Sequence, residues 1–246
     1  MNLGRLNRVI NDFSQAIVDL EQARDIMLRL ADKDQLLQIL NELGCVFRQR
    51  GHLDDWGHAA NLLNQSLALS KELNNRLRTT DNLEDLSALY CRWATKDPGG
   101  SADKLKQAYN YAIQAQQLAK DNKYTYLEAK VERTLGDIDY FGQLYDSAFE
   151  HYFASCVLTA REVQGQWRGG IQLQRRYEQM VDRTQEQLQN LPSLSDTRKY
   201  ARLLRASIAD HSDIDLSLLR GFLDSAIKLA SQTNTLPELP LAKGEE

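Results

Sequence analysis

The stretch HLDDWGH, residues 52–58, holds two histidines and two aspartates in seven positions. Such a density of nitrogen and oxygen donors could serve a metal ion. Its spacing argues against one. His52 and His58 are not four apart, as one helical face would need, and no third anchoring motif stands near them. His52, Asp55 and Trp56 are read instead as solvated residues of an exposed turn. Cys45, Cys91 and Cys156 lie far apart with no C-x-x-C pair, which excludes a disulfide framework and points to a reducing compartment. Each falls in a stretch of helical character, where a thiol packs as a small apolar group. The segment KDPGGSADK (96–104) lacks Walker spacing and is read as a turn reversing at Pro98-Gly99-Gly100, with Lys104 at its edge. His151, beside Tyr152, is read as a surface or interface residue rather than a base. No nucleophile elbow occurs, and no carboxylate pair stands apart from the many solvated acids. The expectation is no enzyme, with no catalytic residue, no cofactor and no metal. A cysteine- or metal-dependent centre assembled across the fold is the competing view.

These side chains need helices to position them. The chain of 246 residues carries 13 glycines and 4 prolines and is rich in good helix formers. Its 30 basic residues stand against 34 acidic ones, which gives neither the basic footprint of a nucleic-acid binder nor a membrane-binding patch. No apolar run approaches the ~18 residues of a membrane span. The N-terminal MNLGRLNRVINDF lacks the apolar core of a signal peptide, so a cytoplasmic location is expected.

Four segments share one pattern: FSQAIVDLEQARDI from Phe13, WGHAANLLNQSLAL from Trp56, LKQAYNYAIQAQQL from Leu105 and YDSAFEHYFASCVL from Tyr145. A large residue is followed three positions on by Ala16, Ala59, Ala108 or Ala148. Four further come Leu20, Leu63, Ala112 or Tyr152, and then Ala23, Ser66, Ala115 or Ser155. Steps of three and four put them on one helical face. A second helix, centred on Leu43-Gly44, Leu86-Ser87 or Leu135-Gly136, follows each of the first three. The step from Ile26 to Leu43 equals the step from Leu69 to Leu86 and that from Leu118 to Leu135. One turn geometry is therefore used three times. All variation in period falls in the other turn, which collects insertions on one edge.

Leu-Gly followed by an aromatic, then aromatic-x-x-Ala-x-x-x-aromatic-x-x-small, resembles the tetratricopeptide repeat in its ~40-residue variety, common in bacterial sensor and regulator proteins. The resemblance covers roughly residues 5–165. It implies an all-α, right-handed α-solenoid of helix-turn-helix repeats, about 3.5 of them over 1–165. Capping helices over 166–232 and a disordered tail over 233–246 would complete the chain. Three departures stand out: no proline closes a repeat, Ser87 replaces glycine, and Asp139 fills the slot of Phe47 and Tyr90. Only about ten residues precede Phe13, too few for a whole partner helix, so the array is expected to begin partway through a repeat.

In the proteins this sequence resembles, the helices centred on Leu43, Leu86 and Leu135 line a concave groove. Positions turned inward would be Asn41, Cys45 and Arg48, then Glu84, Ala88 and Cys91, then Arg133, Asp137 and Tyr140, with Gln38, Asp81 and Lys130 one turn earlier. The groove candidates are Gln38, Asn41, Arg48, Asp81, Glu84, Lys130, Arg133, Asp137 and Tyr140. The expanded-turn candidates are His52, Asp55, Trp56 and Lys104. The expected partner is a protein or peptide, or domains preceding this segment in a longer chain. The implied role is an interaction or sensor module of a bacterial signalling protein, with a free-standing peptide-binding adaptor as the alternative.

Overall fold

The computed structural model describes residues 12–165 continuously and, beyond them, residues 182, 199, 202, 205, 206, 208–211, 213 and 216. Seven helices run through the continuous part: α1 (Phe13–Leu30), α2 (Lys33–Arg50), α3 (Asp55–Glu72), α4 (Arg76–Ala94), α5 (Ser101–Asp121), α6 (Thr125–Phe141) and α7 (Tyr145–Gly165). A 3-10 turn, Pro98–Gly100, precedes α5. No strand occurs among the described residues. Each helix from α1 to α5 packs on the next, and α4 also meets α2 and α6. The architecture is an all-α solenoid of helix pairs.

The chain divides into two compact units, Met1–Leu158 and Thr159–Glu246. The first holds α1 to α6 and most of α7. In the second, Ile208 and Leu216 are buried. Apart from the scattered positions, the capping helices expected over 166–232 fall outside the described residues, as do the tail over 233–246 and the residues before Asp12.

The constant step between paired helices has a backbone cause. Ala31, Asn74 and Lys123 all adopt left-handed φ, at 53°, 51° and 56°. They hold equivalent places in the repeat, each the same distance before its helix leucine, Leu43, Leu86 or Leu135. The amide of the following residue reaches back to a carbonyl near the end of the finished helix: Asp32 to Met27, Asn75 to Ser70 and Tyr124 to Ala119. These bonds close the helix's open carbonyls. Asp32 and Asn75 then cap the next helix, accepting from the amides of Gln35 and Arg78. Tyr124 holds the same place without a side-chain cap.

Packing between successive pairs follows the large–small pattern. A Cβ on Gly44 would lie 2.6 Å from Leu63 Cγ, and one on Gly136 would lie 2.8 Å from Tyr152. Between them Ser87 takes the glycine position, and the repeat equivalent of Leu63 and Tyr152 is the small Ala112. The Ser87 hydroxyl donates to the Ala108 carbonyl at 2.8 Å. Ser66 and Ser155, equivalent in the repeat, donate to the carbonyls of Leu37 and Ala129. Among the described residues the core includes two clusters. One joins Ala16 and Leu20 to Ile39, Leu43 and Val46, and the larger one gathers α3 to α6 around Leu63, Leu86 and Leu135. Phe47, on α2, packs against both.

Candidate functional site

Seven of the nine groove candidates converge where α2, α4 and α6 lie side by side, and their charges meet one another. α4 presents Asp81, Glu84 and Asp85, at spacings of three and four that share a helical face. Lys130 reaches across from α6. Its Nζ stands 2.9 Å from Asp81 Oδ1, 2.7 Å from Glu84 Oε2 and 3.8 Å from Asp85 Oδ1. From α2, Arg48 donates to the Asp85 carbonyl at 3.1 Å and pairs with its Oδ1 at 3.2 Å. Asn41 Nδ2 donates to Asp85 Oδ2 and to Asn82 Oδ1, both at 2.9 Å. Thr134 Oγ1 donates to Glu84 Oε1 at 2.8 Å. At the rim, Arg78 donates to Gln38 Oε1 and lies 3.8 Å from Asp81.

The electrostatics follow from this arrangement. Burial alone would raise the Asp85 carboxyl, but Lys130, Arg48 and the Asn41 hydrogen bond hold it down at about 2. Burial would lower the Lys130 ammonium, yet Asp85, Glu84 and Asp81 hold it well above the usual lysine range. Asp81 goes the other way. Its burial, beside Asp85 and Glu84, outweighs what Lys130 contributes and pushes its carboxyl up. Burial, and then the Asp85 charge, push the Cys45 thiol far above its ordinary value. Cys45 is thus a packing residue and a poor nucleophile. Carboxylate oxygens of Asp81, Glu84 and Asp85 lie within 4.8 Å of one another, a donor set that could hold a divalent ion. Here the Lys130 ammonium supplies the positive charge.

Asp137 and Tyr140 do not join this cluster. Asp137 Oδ1 accepts from the Tyr152 hydroxyl at 2.7 Å. Tyr140 packs edge-on against Phe141 and Tyr145.

The expanded-turn residues need a larger correction. Asp55 and Trp56 are 2% and 1% exposed, not solvated. Asp55 takes two hydrogen bonds from Arg50, at 2.6 and 2.9 Å, and one from the His52 amide at 2.9 Å. It closes the α2–α3 turn. Trp56 stacks on Trp93, which continues through Tyr90 to Tyr111. Lys104 pairs with Asp97 and lies 4.7 Å over the Trp93 ring. All three brace turns, Asp55 and Trp56 as buried residues and Lys104 as a half-buried one. Among the four, His52 alone is exposed.

Sequence reasoning missed Asp85, the anchor for both Arg48 and Lys130. It stands one residue before Leu86, outside the inward positions chosen. The signal that could have found it is the i, i+3, i+4 run of acids at 81, 84 and 85.

No family model matches the chain, and no curated protein does. Among solved structures, the chain is similar to the crystal structure of BtubC (BKLC) from P. vanneervenii. The identity is 16%, over 95% of this chain and 97% of that one, with a TM-score of 0.48. A likeness of this degree carries no argument, and the site stands on its own geometry.

Proposed function

We propose that this chain is a protein-interaction module of tetratricopeptide type that takes a peptide or protein segment along the face of α2, α4 and α6. The observation behind this reading is Arg133. Its side chain is 30% exposed at the edge of the charge cluster, and its Nη2 lies 3.8 Å from Glu84 Oε1. Its Nε is buried and has no hydrogen-bond partner among the described residues. The cluster's interior charges are matched; this guanidinium is engaged on one side only. A carboxylate-bearing segment would complete it through the paired donors that guanidinium offers. The cytoplasmic sensor role in a bacterial signalling protein belongs to the same proposal and rests on the resemblance of the repeats.

The test is selection from a random-peptide display library on the full chain. Enrichment of acidic peptides, with affinity falling at least about tenfold in Arg133→Ala, is the expected outcome; a charge-assisted hydrogen bond is worth roughly that factor. Absence of enrichment, or equal binding by the variant, would overturn the reading. Arg48, a groove candidate in the sequence, is not the residue to test for binding, because its removal strips Asp85 of one of its partners.

A further inference from the structure

His151, on α7, faces two carboxylates of α6 with one ring nitrogen toward each. Its Nδ1 stands 2.7 Å from Glu132 Oε2, and its Nε2 stands 3.6 Å from Asp139 Oδ2. Both carboxylates are buried, while the ring is 26% exposed. Glu132 also accepts from Gln116 Nε2 of α5 at 2.7 Å, and Lys120 of α5 lies 4.0 Å away. Asp139 accepts from the Ser147 hydroxyl of α7. Glu150, beside His151 on its own helix, adds further negative charge.

A neutral imidazole has one N–H and one lone pair. The short contact to Glu132 claims the N–H at Nδ1. The lone pair at Nε2 would then face the Asp139 carboxylate, acceptor against acceptor, near the protein interior. The doubly protonated ring alone offers a donor to each side. We propose that His151 is a proton-dependent latch between α6 and α7: with its second proton it ties α7 to both Glu132 and Asp139, and without it the contact with Asp139 turns repulsive and the helix pair loosens. What the latch holds is the helix through which the chain continues past Leu158.

The direction of the switch follows from the surroundings. Burial disfavours the charged ring. The Glu132 hydrogen bond and charge, followed by Asp139 and Glu150, outweigh it and raise the histidine above its ordinary value. The same hydrogen bond helps to hold the Glu132 carboxyl below its usual range against burial. A raised histidine contributes stability that is complete below its ordinary value, about 6.5, and is lost as pH rises through the raised one. The latch therefore opens on the alkaline side.

The experiment uses the full chain. The His151 ring is titrated by NMR, and amide exchange in α7 is followed over the same pH series, normalised to α3. Wild type should lose up to about fivefold in α7 protection across the His151 midpoint, the factor expected for one partly exposed ion pair. His151→Gln should show no such step. Glu132→Gln, which keeps shape and removes charge, should lower the His151 midpoint and shift the loosening with it; this variant carries the test if His151→Gln folds poorly. Protection that ignores the midpoint, a step that survives in His151→Gln, or a midpoint unmoved in Glu132→Gln would overturn the latch.

Discussion

At Lys130 one ammonium group answers three carboxylates of α4, and its removal would leave the buried Glu84 and Asp85 beside the half-buried Asp81 without it. Lys130→Met should destabilise the chain by about 3 kcal/mol at neutral pH, the lower end for breaking a buried ion pair. Urea unfolding would measure it, and the deficit should shrink as acid protonates the carboxylates. Asp85 sets the opposite limb. Its carboxyl is depressed to about 2, so its contribution is present above the ordinary carboxylate value and is lost as pH falls through about 2. Asp85→Asn should flatten the acid limb of stability between roughly pH 4 and 2, seen as an unfolding midpoint that changes less with pH than in wild type. The groove residues could be gathered from sequence because the repeat register puts them at equivalent places on α2, α4 and α6. That they neutralise one another could not, since register gives the face but not the reach of a lysine side chain. Asp55 shows a similar limit. Two aspartates and two histidines in a turn look solvated until the fold brings Arg50 across to bury one of them.

Among the helices, glycine and left-handed positions make the sharpest claims. Gly44→Ala should cost about 1–3 kcal/mol, because the new methyl would press on the Leu63 side chain. Gly57, in the first turn of α3, has nothing within 4 Å of a built Cβ. Gly57→Ala should be neutral or stabilise by up to about 1 kcal/mol through helix propensity. Thermal unfolding of the two variants side by side would check the pair. Lys123 holds left-handed φ without being glycine. Lys123→Gly should relieve that strain and raise stability by about 0.5–1 kcal/mol, read in the same assay. The regular step between paired helices told of a repeated turn but not of its form. Its left-handed residue is Ala31, Asn74 or Lys123, and only the asparagine hints at such a backbone. The Ser87 departure proved legible only with its opposite number. The small Ala112 stands at the repeat position that Leu63 and Tyr152 fill against Gly44 and Gly136, and the Ser87 hydroxyl reaches the Ala108 carbonyl.

Across the described array, neighbouring helices do most of the holding, so stability should spread along the chain rather than reside in one centre. The Phe47 ring packs against both core clusters, beside the contacts of Gly44 with Leu63 and of Ser66 with the Leu37 carbonyl that also join α2 to α3. α2 carries that ring near its C-terminal end, with the Arg50 guanidinium 5.1 Å from the ring centroid and His58 tilted against it at 5.8 Å. In a linear array, what couples neighbours sets how many of them melt together. Phe47→Ala should then do more than subtract stability. Calorimetry of wild type should give a single transition for the first unit, and the variant should give two, with α1 and α2 unfolding at the lower temperature. One aromatic ring would then help to set whether heat takes the array as one cooperative body or in two stages.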